Sequence, residues 1–184
     1  IDKGIAINYT ESGDGKGASS PSAIVVDDQV WVYYHTNTSD LTKPINWLTR
    51  FTLNLSTNNT RVAPPERLNL IGFIPNDPNW ILSNLDVSYR NSQFMLLANT
   101  SDLKKIVRLV SDDGINWRKP ISGPHVMIDA NNDFVLTPST EDTRPDRYKI
   151  YFGFGNISES SVVSTMIRSR EFYTSTSLPV STQI

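Results

Sequence analysis

Apolar residues in this chain come in short runs with a period of two, and no segment shows the three-and-four spacing of a helix face. From Ile45 to Leu55, Trp47, Thr49, Phe51, Leu53 and Leu55 alternate with Asn46, Leu48, Arg50, Thr52 and Asn54, which predicts a strand with one buried face. Denser runs of aromatic and β-branched residues at Val30 to His35, Phe94 to Ala98 and Tyr148 to Phe154 predict further strands. A shorter apolar stretch stands before each: Ser22 to Val26, Val87 to Tyr89 and Phe134 to Leu136. The first two pairs are joined by the turns Asp27-Asp28-Gln29 and Arg90-Asn91-Ser92-Gln93. In the third, a longer insert rich in Thr, Asp, Arg and Pro intervenes, and a loop that grows in one unit is a candidate for function.

The units repeat. Asn37-Thr38-Ser39-Asp40-Leu41 returns unchanged as Asn99-Thr100-Ser101-Asp102-Leu103, with a weaker copy at Asn156-Ile157-Ser158-Glu159. Each copy follows a strand run and precedes another, so each reads as a hairpin turn. A period of roughly sixty residues with several strands per unit predicts an all-β, propeller-like repeat of antiparallel blades. The expected organisation is one domain over 1–184, with blades near 15–62, 80–120 and 126–175. Ser111-Asp112-Asp113-Gly114-Ile115-Asn116-Trp117 is expected to be a locked turn with its Trp folded back onto a blade.

Composition narrows the function classes. A net charge of −2 with 20 % charged residues offers no surface for nucleic-acid phosphates, and no apolar run is long enough to cross a bilayer. Without cysteine there are neither disulfides nor thiolate metal sites, and His35 and His125 have no carboxylate at ligand spacing. No metal and no cofactor are therefore expected. The start at Ile1 suggests a processed or trimmed product, and a secreted or periplasmic location is favoured. Six Asn-x-Ser/Thr sequons, at Asn8, Asn37, Asn54, Asn58, Asn99 and Asn156, are what a chain rich in Asn, Ser and Thr produces by chance.

The stretches Ser20 to Tyr34 and Leu85 to Phe94, together with the Ser111 to Trp117 turn, resemble the blade motifs of the five-bladed β-propeller glycoside hydrolases. That group includes the arabinanases and β-xylosidases and the invertases and levansucrases. The resemblance touches all three units and implies a carbohydrate partner. It also implies a carboxylate opening the innermost strand of successive blades, at the mouth of a central channel. Matching the turns Asp28-Gln29 and Ser92-Gln93 sets Ser22 opposite Asp86 at an offset of 64, so the first blade lacks its acid. Matching the repeated pentapeptide gives an offset of 62 and moves Asp86 opposite Ile24, and both registers stand at this point.

Glycosyl transfer to water needs one carboxylic acid and one carboxylate. The candidates are Asp86, Asp133 before the third inner strand, and Glu141 on the insert, each also readable as a turn or surface acid. Ser22, His35, Trp47 and Trp80 are candidate sugar-binding residues, the aromatic faces suiting the C–H face of a pyranose. Trp47 also suits a blade core. A glycoside hydrolase acting on an oligo- or polysaccharide and a non-catalytic carbohydrate-binding or structural assembly module both fit. Because natural propellers have about four to eight blades, three imply a part of a longer propeller, a homo-oligomer through blade edges, or an edge covered by Ile5-Ala6-Ile7-Asn8-Tyr9.

Overall fold

The structure is a computed structural model that describes residues 15–38, 47–56, 60–62, 64–72, 82–100, 102–121, 123–130, 133–144, 147–158 and 161–173. Every regular element among them is a strand. The first sheet joins β1 (Gly15–Val26), β2 (Gln29–Thr38), β3 (Trp47–Asn54) and β4 (Thr60–Arg61) in that order, with β5 (Glu66–Arg67) also on β3. The second runs β6 (Asn69–Ile71), β10 (Asn116–Arg118), β9 (Lys105–Ser111), β8 (Gln93–Thr100), β7 (Leu82–Arg90), with β11 (Val126–Asp129) on the far end of β9. The third joins β12 (Phe134–Arg144), β13 (Arg147–Ser158) and β14 (Ser161–Tyr173). Neighbouring strands are antiparallel except β6 and β10, which run parallel. The protein is therefore all-β and propeller-like. Val126–Asp129, expected at the head of the third unit, instead extends the second sheet, where Val126 pairs with Val107 and Ile128 with Ile106.

Successive sheets pack face to face, and the middle one buries both faces. Phe94, Leu96 and Ala98 of β8 join Tyr33, Leu48, Val87, Leu109 and Trp117 in a core between the first and second sheets. Leu97, the residue between them, joins Val135, Tyr148, Ile150 and Phe152 in a core between the second and third. Side chains alternate along a strand, so a strand covered on both faces must be apolar without interruption, as Phe94 to Ala98 is. Within the first core Trp31 stacks on Phe94 at 5.2 Å and Arg50 caps the outer face of Trp31 at 4.0 Å.

The Ser111 to Trp117 segment is the locked turn its residues predict. Asp113 Oδ1 accepts from the amides of Ile115 at 2.8 Å and Asn116 at 2.7 Å, and Ser111 Oγ accepts from the Gly114 amide at 2.8 Å. Burial opposes the Asp113 charge, but these bonds and those from the Asn116 side chain and Ser111 outweigh it and hold the carboxyl well below the usual range. Gly114 has φ +74°, and a Cβ there would meet Tyr33 Oη at 2.6 Å.

The third unit departs from expectation between Leu136 and Tyr148. The polar insert is strand: β12 runs on to Arg144, pairing Thr140 with Ile150 and Glu141 with Lys149. Its apolar partners Tyr148, Ile150 and Phe152 lie on β13, so β12 needs few of its own to stay in the sheet.

Candidate functional site

The inner strands β1, β7 and β12 lie side by side, and each carries the same β-bulge. In β1 the pairing passes from Ser19–His35 to Ser22–Tyr33, in β7 from Ser83–Asn99 to Asp86–Leu97, and in β12 from Leu136–Gly153 to Ser139–Tyr151. The residue after the first pair is left-handed each time: Ser20 at φ 52°, Asn84 at 49° and Thr137 at 46°. Non-glycine residues adopt this region at a cost of about 1 kcal/mol, and three matching cases mark a built feature of the strand. Neighbouring bulges also touch, Ser20 Oγ donating to Asn84 Oδ1 at 3.2 Å across 64 positions.

The bulges fix the register that the sequence left open. Ser22, Asp86 and Ser139 occupy the position just past each bulge, so the offset between the first two units is 64. The pentapeptide copies mislead because the hairpin arms differ in length: Asn99 pairs at the bulge itself, whereas the matching position of the first sheet is His35, two residues before Asn37.

Each of the first two residues of the trio reaches the next sheet. Ser22 Oγ accepts from the Val87 amide at 2.9 Å. Asp86 Oδ2 accepts from the Thr140 amide at 2.7 Å and from Thr140 Oγ1 at 2.6 Å. Asp86 thus ties β7 to β12. Glu141 follows Thr140, so its side chain leaves the opposite face of β12, where it accepts from Tyr151 Oη at 2.7 Å. Asp133 lies in the turn that enters β12, its amide donating to Ala130 O at 3.0 Å, and the register gives its expected place opposite Asp86 to Ser139. The three candidate acids are therefore set on a strand, a turn and an opposite strand face.

Among the aromatic candidates, His35 is buried on the face of the first sheet toward the second, its Nε2 2.7 Å from Ser19 Oγ. Trp47 opens β3 opposite Thr36, with its side chain outside the described residues, and Trp80 lies outside them altogether. No group of three or more His, Cys, Asp or Glu among the described residues is placed to hold a metal ion, and no described helix is long and apolar enough to cross a membrane.

Burial lowers the pKa of His35, and it lowers that of His125 against the opposing bond to the Arg108 carbonyl. The unfolded chain therefore takes up protons near the ordinary value of about 6.5 that the folded chain refuses. Stability is expected to be complete above pH 6.5 and to fall as the pH drops below it. Urea midpoints at pH 7.5 and 5.5 check this, and an equal or higher midpoint at 5.5 would refute it.

A concave feature that the sequence does not announce lies between the second and third sheets. It is a cleft of about 410 Å³ whose walls include Arg90, Arg108, Arg118, Tyr148, Met95 and Ile121. The arginines come from β7, β9 and β10. They are distant in sequence, and nothing local marks them as a group.

No family model matches the chain, and no curated protein matches it. Solved structures do. An N-acetylgalactosamine deacetylase from F. plautii superposes with a TM-score of 0.60 at 14 % identity, covering 85 % of this chain and 50 % of that one. An α-L-arabinofuranosidase from Clostridium thermocellum gives 0.54 at 17 % identity, over 83 % and 56 %. A GH43 β-xylosidase/α-arabinofuranosidase from a compost microbial metagenome, in complex with xylotriose, gives 0.52 at 9 %, over 86 % and 71 %. In fold the chain is similar to part of the five-bladed β-propeller glycoside hydrolases. It spans about half the length of the first two structures.

Proposed function

We propose that this chain is the carbohydrate-recognising part of a glycoside-hydrolase-like propeller, and that its own residues hold a sugar without cleaving it. The observation that carries the second half is the trio Ser22, Asp86 and Ser139: the three equivalent inner-strand positions supply one carboxylate. Hydrolysis needs two carboxyl groups at a set separation. Glu141 is turned away from Asp86 by the strand alternation, and Asp133 sits in a turn. A hydrolytic reading keeps one support, since arabinofuranosidases share the fold and a second acid would then come from blades beyond these three.

Calorimetric titration with arabino- and xylo-oligosaccharides, beside a reducing-sugar assay on the same ligands, separates the readings. Binding without sugar release is expected. Asp86→Asn retains an acceptor for Thr140 but loses the charge on two short bonds, so a stability loss of about 1 kcal/mol and a several-fold weaker affinity are expected. Sugar release abolished by Asp86→Asn would overturn the non-catalytic reading, and no binding by any of these ligands would overturn the carbohydrate reading.

A further inference from the structure

At the first pair of each bulge the three sheets fill the position opposite the inner strand differently: His35 stands opposite Ser19, Asn99 opposite Ser83 and Gly153 opposite Leu136. Asn99 sends its amide across to the next sheet. His35 turns instead to its own pairing partner, with Nε2 2.7 Å from Ser19 Oγ. The imidazole is 8 % exposed whereas Ser19 is exposed, so the pair runs from the interior to the surface. Burial favours the uncharged ring.

Which atom of the pair donates follows from counting protons. A neutral ring carries one N–H, on Nδ1 or on Nε2. Nδ1 is buried and meets no hydrogen-bond partner among the described residues. A proton there would be stranded without an acceptor, an arrangement that folded interiors avoid. A proton on Nε2 is taken by Ser19 Oγ, and the Ser19 hydroxyl proton, which then cannot point back at the ring, turns to the exposed side. Both donors are thereby placed. In this form the ring does not accept the serine proton, so the pair is not an activated nucleophile. The backbone beneath the hydroxyl is fixed as well: Ser19 is in the ladder with His35, and Ser20 is held left-handed at φ 52° with its own hydroxyl on Asn84 Oδ1 at 3.2 Å.

We propose that Ser19 contacts the saccharide and that His35 is its positioning residue, the imidazole holding the serine oxygen so that the hydroxyl donates one hydrogen bond outward to a sugar oxygen. A donor whose direction is set beforehand loses less freedom on binding than a rotating hydroxyl. His35, a candidate for sugar contact in the sequence, thus acts one bond behind the contact. The ligand rests on the carbohydrate reading above, whereas the direction of the hydrogen bond rests on the surroundings of the ring alone.

Nitrogen-15 NMR of the imidazole, without ligand, is expected to show a neutral ring protonated at Nε2. Protonation at Nδ1 would overturn the proposal whether or not a sugar binds. Calorimetric titration of the full chain with xylotriose and arabinotriose tests the contact. Ser19→Ala is expected to weaken binding about fivefold at an unchanged melting temperature, because its side chain is exposed. His35→Leu is expected to weaken binding about threefold, and His35→Gln, whose Nε2 can donate to the serine, to stay within about twofold of the wild type. In the Ser19→Ala background His35→Leu should cost nothing further, because no hydroxyl is left to position. An equal loss from His35→Leu in both backgrounds would reduce His35 to a structural role and overturn the proposal, as would unchanged affinity in Ser19→Ala. Failure of the wild type to bind either trisaccharide would overturn the carbohydrate reading and the sugar contact together, with the NMR result still deciding the hydrogen bond.

Discussion

Replacing Trp117 with alanine is expected to lower stability by about 4 kcal/mol, near the top of the range for emptying a buried aromatic site. The indole is 0 % exposed and stands edge-on to Tyr33 at 5.9 Å with an interplanar angle of 86°. Its Nε1 donates to the Gly114 carbonyl at 3.2 Å, and that carbonyl also accepts from Tyr33 Oη at 3.2 Å. Truncation opens a cavity between the first and second sheets and removes the plug that holds the Ser111 to Asn116 turn against Tyr33. Phenylalanine fills most of the space but forfeits the bond to Gly114, so a smaller loss of about 2 kcal/mol is expected from it. Urea denaturation with an unchanged slope measures both. A loss below about 1 kcal/mol for the alanine variant would show that Trp117 does not join the sheets.

Asn99→Ala is expected to cost about 3 kcal/mol, more than its small volume implies. Asn99 is 0 % exposed at the end of β8, with its amide spread across the bulge of β12. Its Nδ2 donates to Val135 O at 2.7 Å and its Oδ1 accepts from the Thr137 amide at 3.0 Å. A bulge leaves backbone groups without ladder partners, and here a side chain from the neighbouring sheet supplies them. Alanine strands the Val135 carbonyl in a buried place and the Thr137 amide in a half-buried one, the first at about 1–3 kcal/mol and the second at less. Asn99→Asp is expected to be as damaging, because a carboxylate offers no donor to Val135 O. Hydrogen exchange at the Thr137 amide gives the local readout: strong protection in the wild type and a large loss in the alanine variant. Retained protection would mean that the bulge holds itself. The same burial takes the Asn99 sequon off the accessible surface.

Asn99 also shows where reading by residue type stops. As part of a repeated pentapeptide it marks a hairpin turn, and the chain does turn there, between β8 and β9. That its side chain crosses to the next sheet depends on β12 lying opposite, which no local pattern carries. Thr137 and Ser20 are a further case. Neither residue type advertises a left-handed conformation, so the bulges that set the register are silent in the sequence. Asn84 alone belongs to a type enriched there.

The acids divide in the same way. Asp86 announces itself as an acid just before the short stretch Val87 to Tyr89, and the structure places it on an inner strand with two bonds to Thr140. Asp133 and Glu141 were equally visible as residues, but their relation to Asp86 turns on the length of β12 and on which face each side chain leaves. The polar run after Leu136 looks like a loop because its hydrophobic complement resides on β13.

What the sequence determined by itself is local and periodic: strands where apolar residues alternate or run together, hairpins where Asn, Asp and Gly interrupt them, and a turn locked by Asp113, Gly114 and Trp117. Those outcomes follow from backbone preferences and from side chains within a few residues of each other. What only the tertiary structure decided is which strands become neighbours: the bulge register that aligns Ser22, Asp86 and Ser139, the Asn99 bridge, and the meeting of Arg90, Arg108 and Arg118 in one cleft. Cross-strand pairing sets these distances and faces, and a one-residue slip would send each of those side chains to the other side of its sheet.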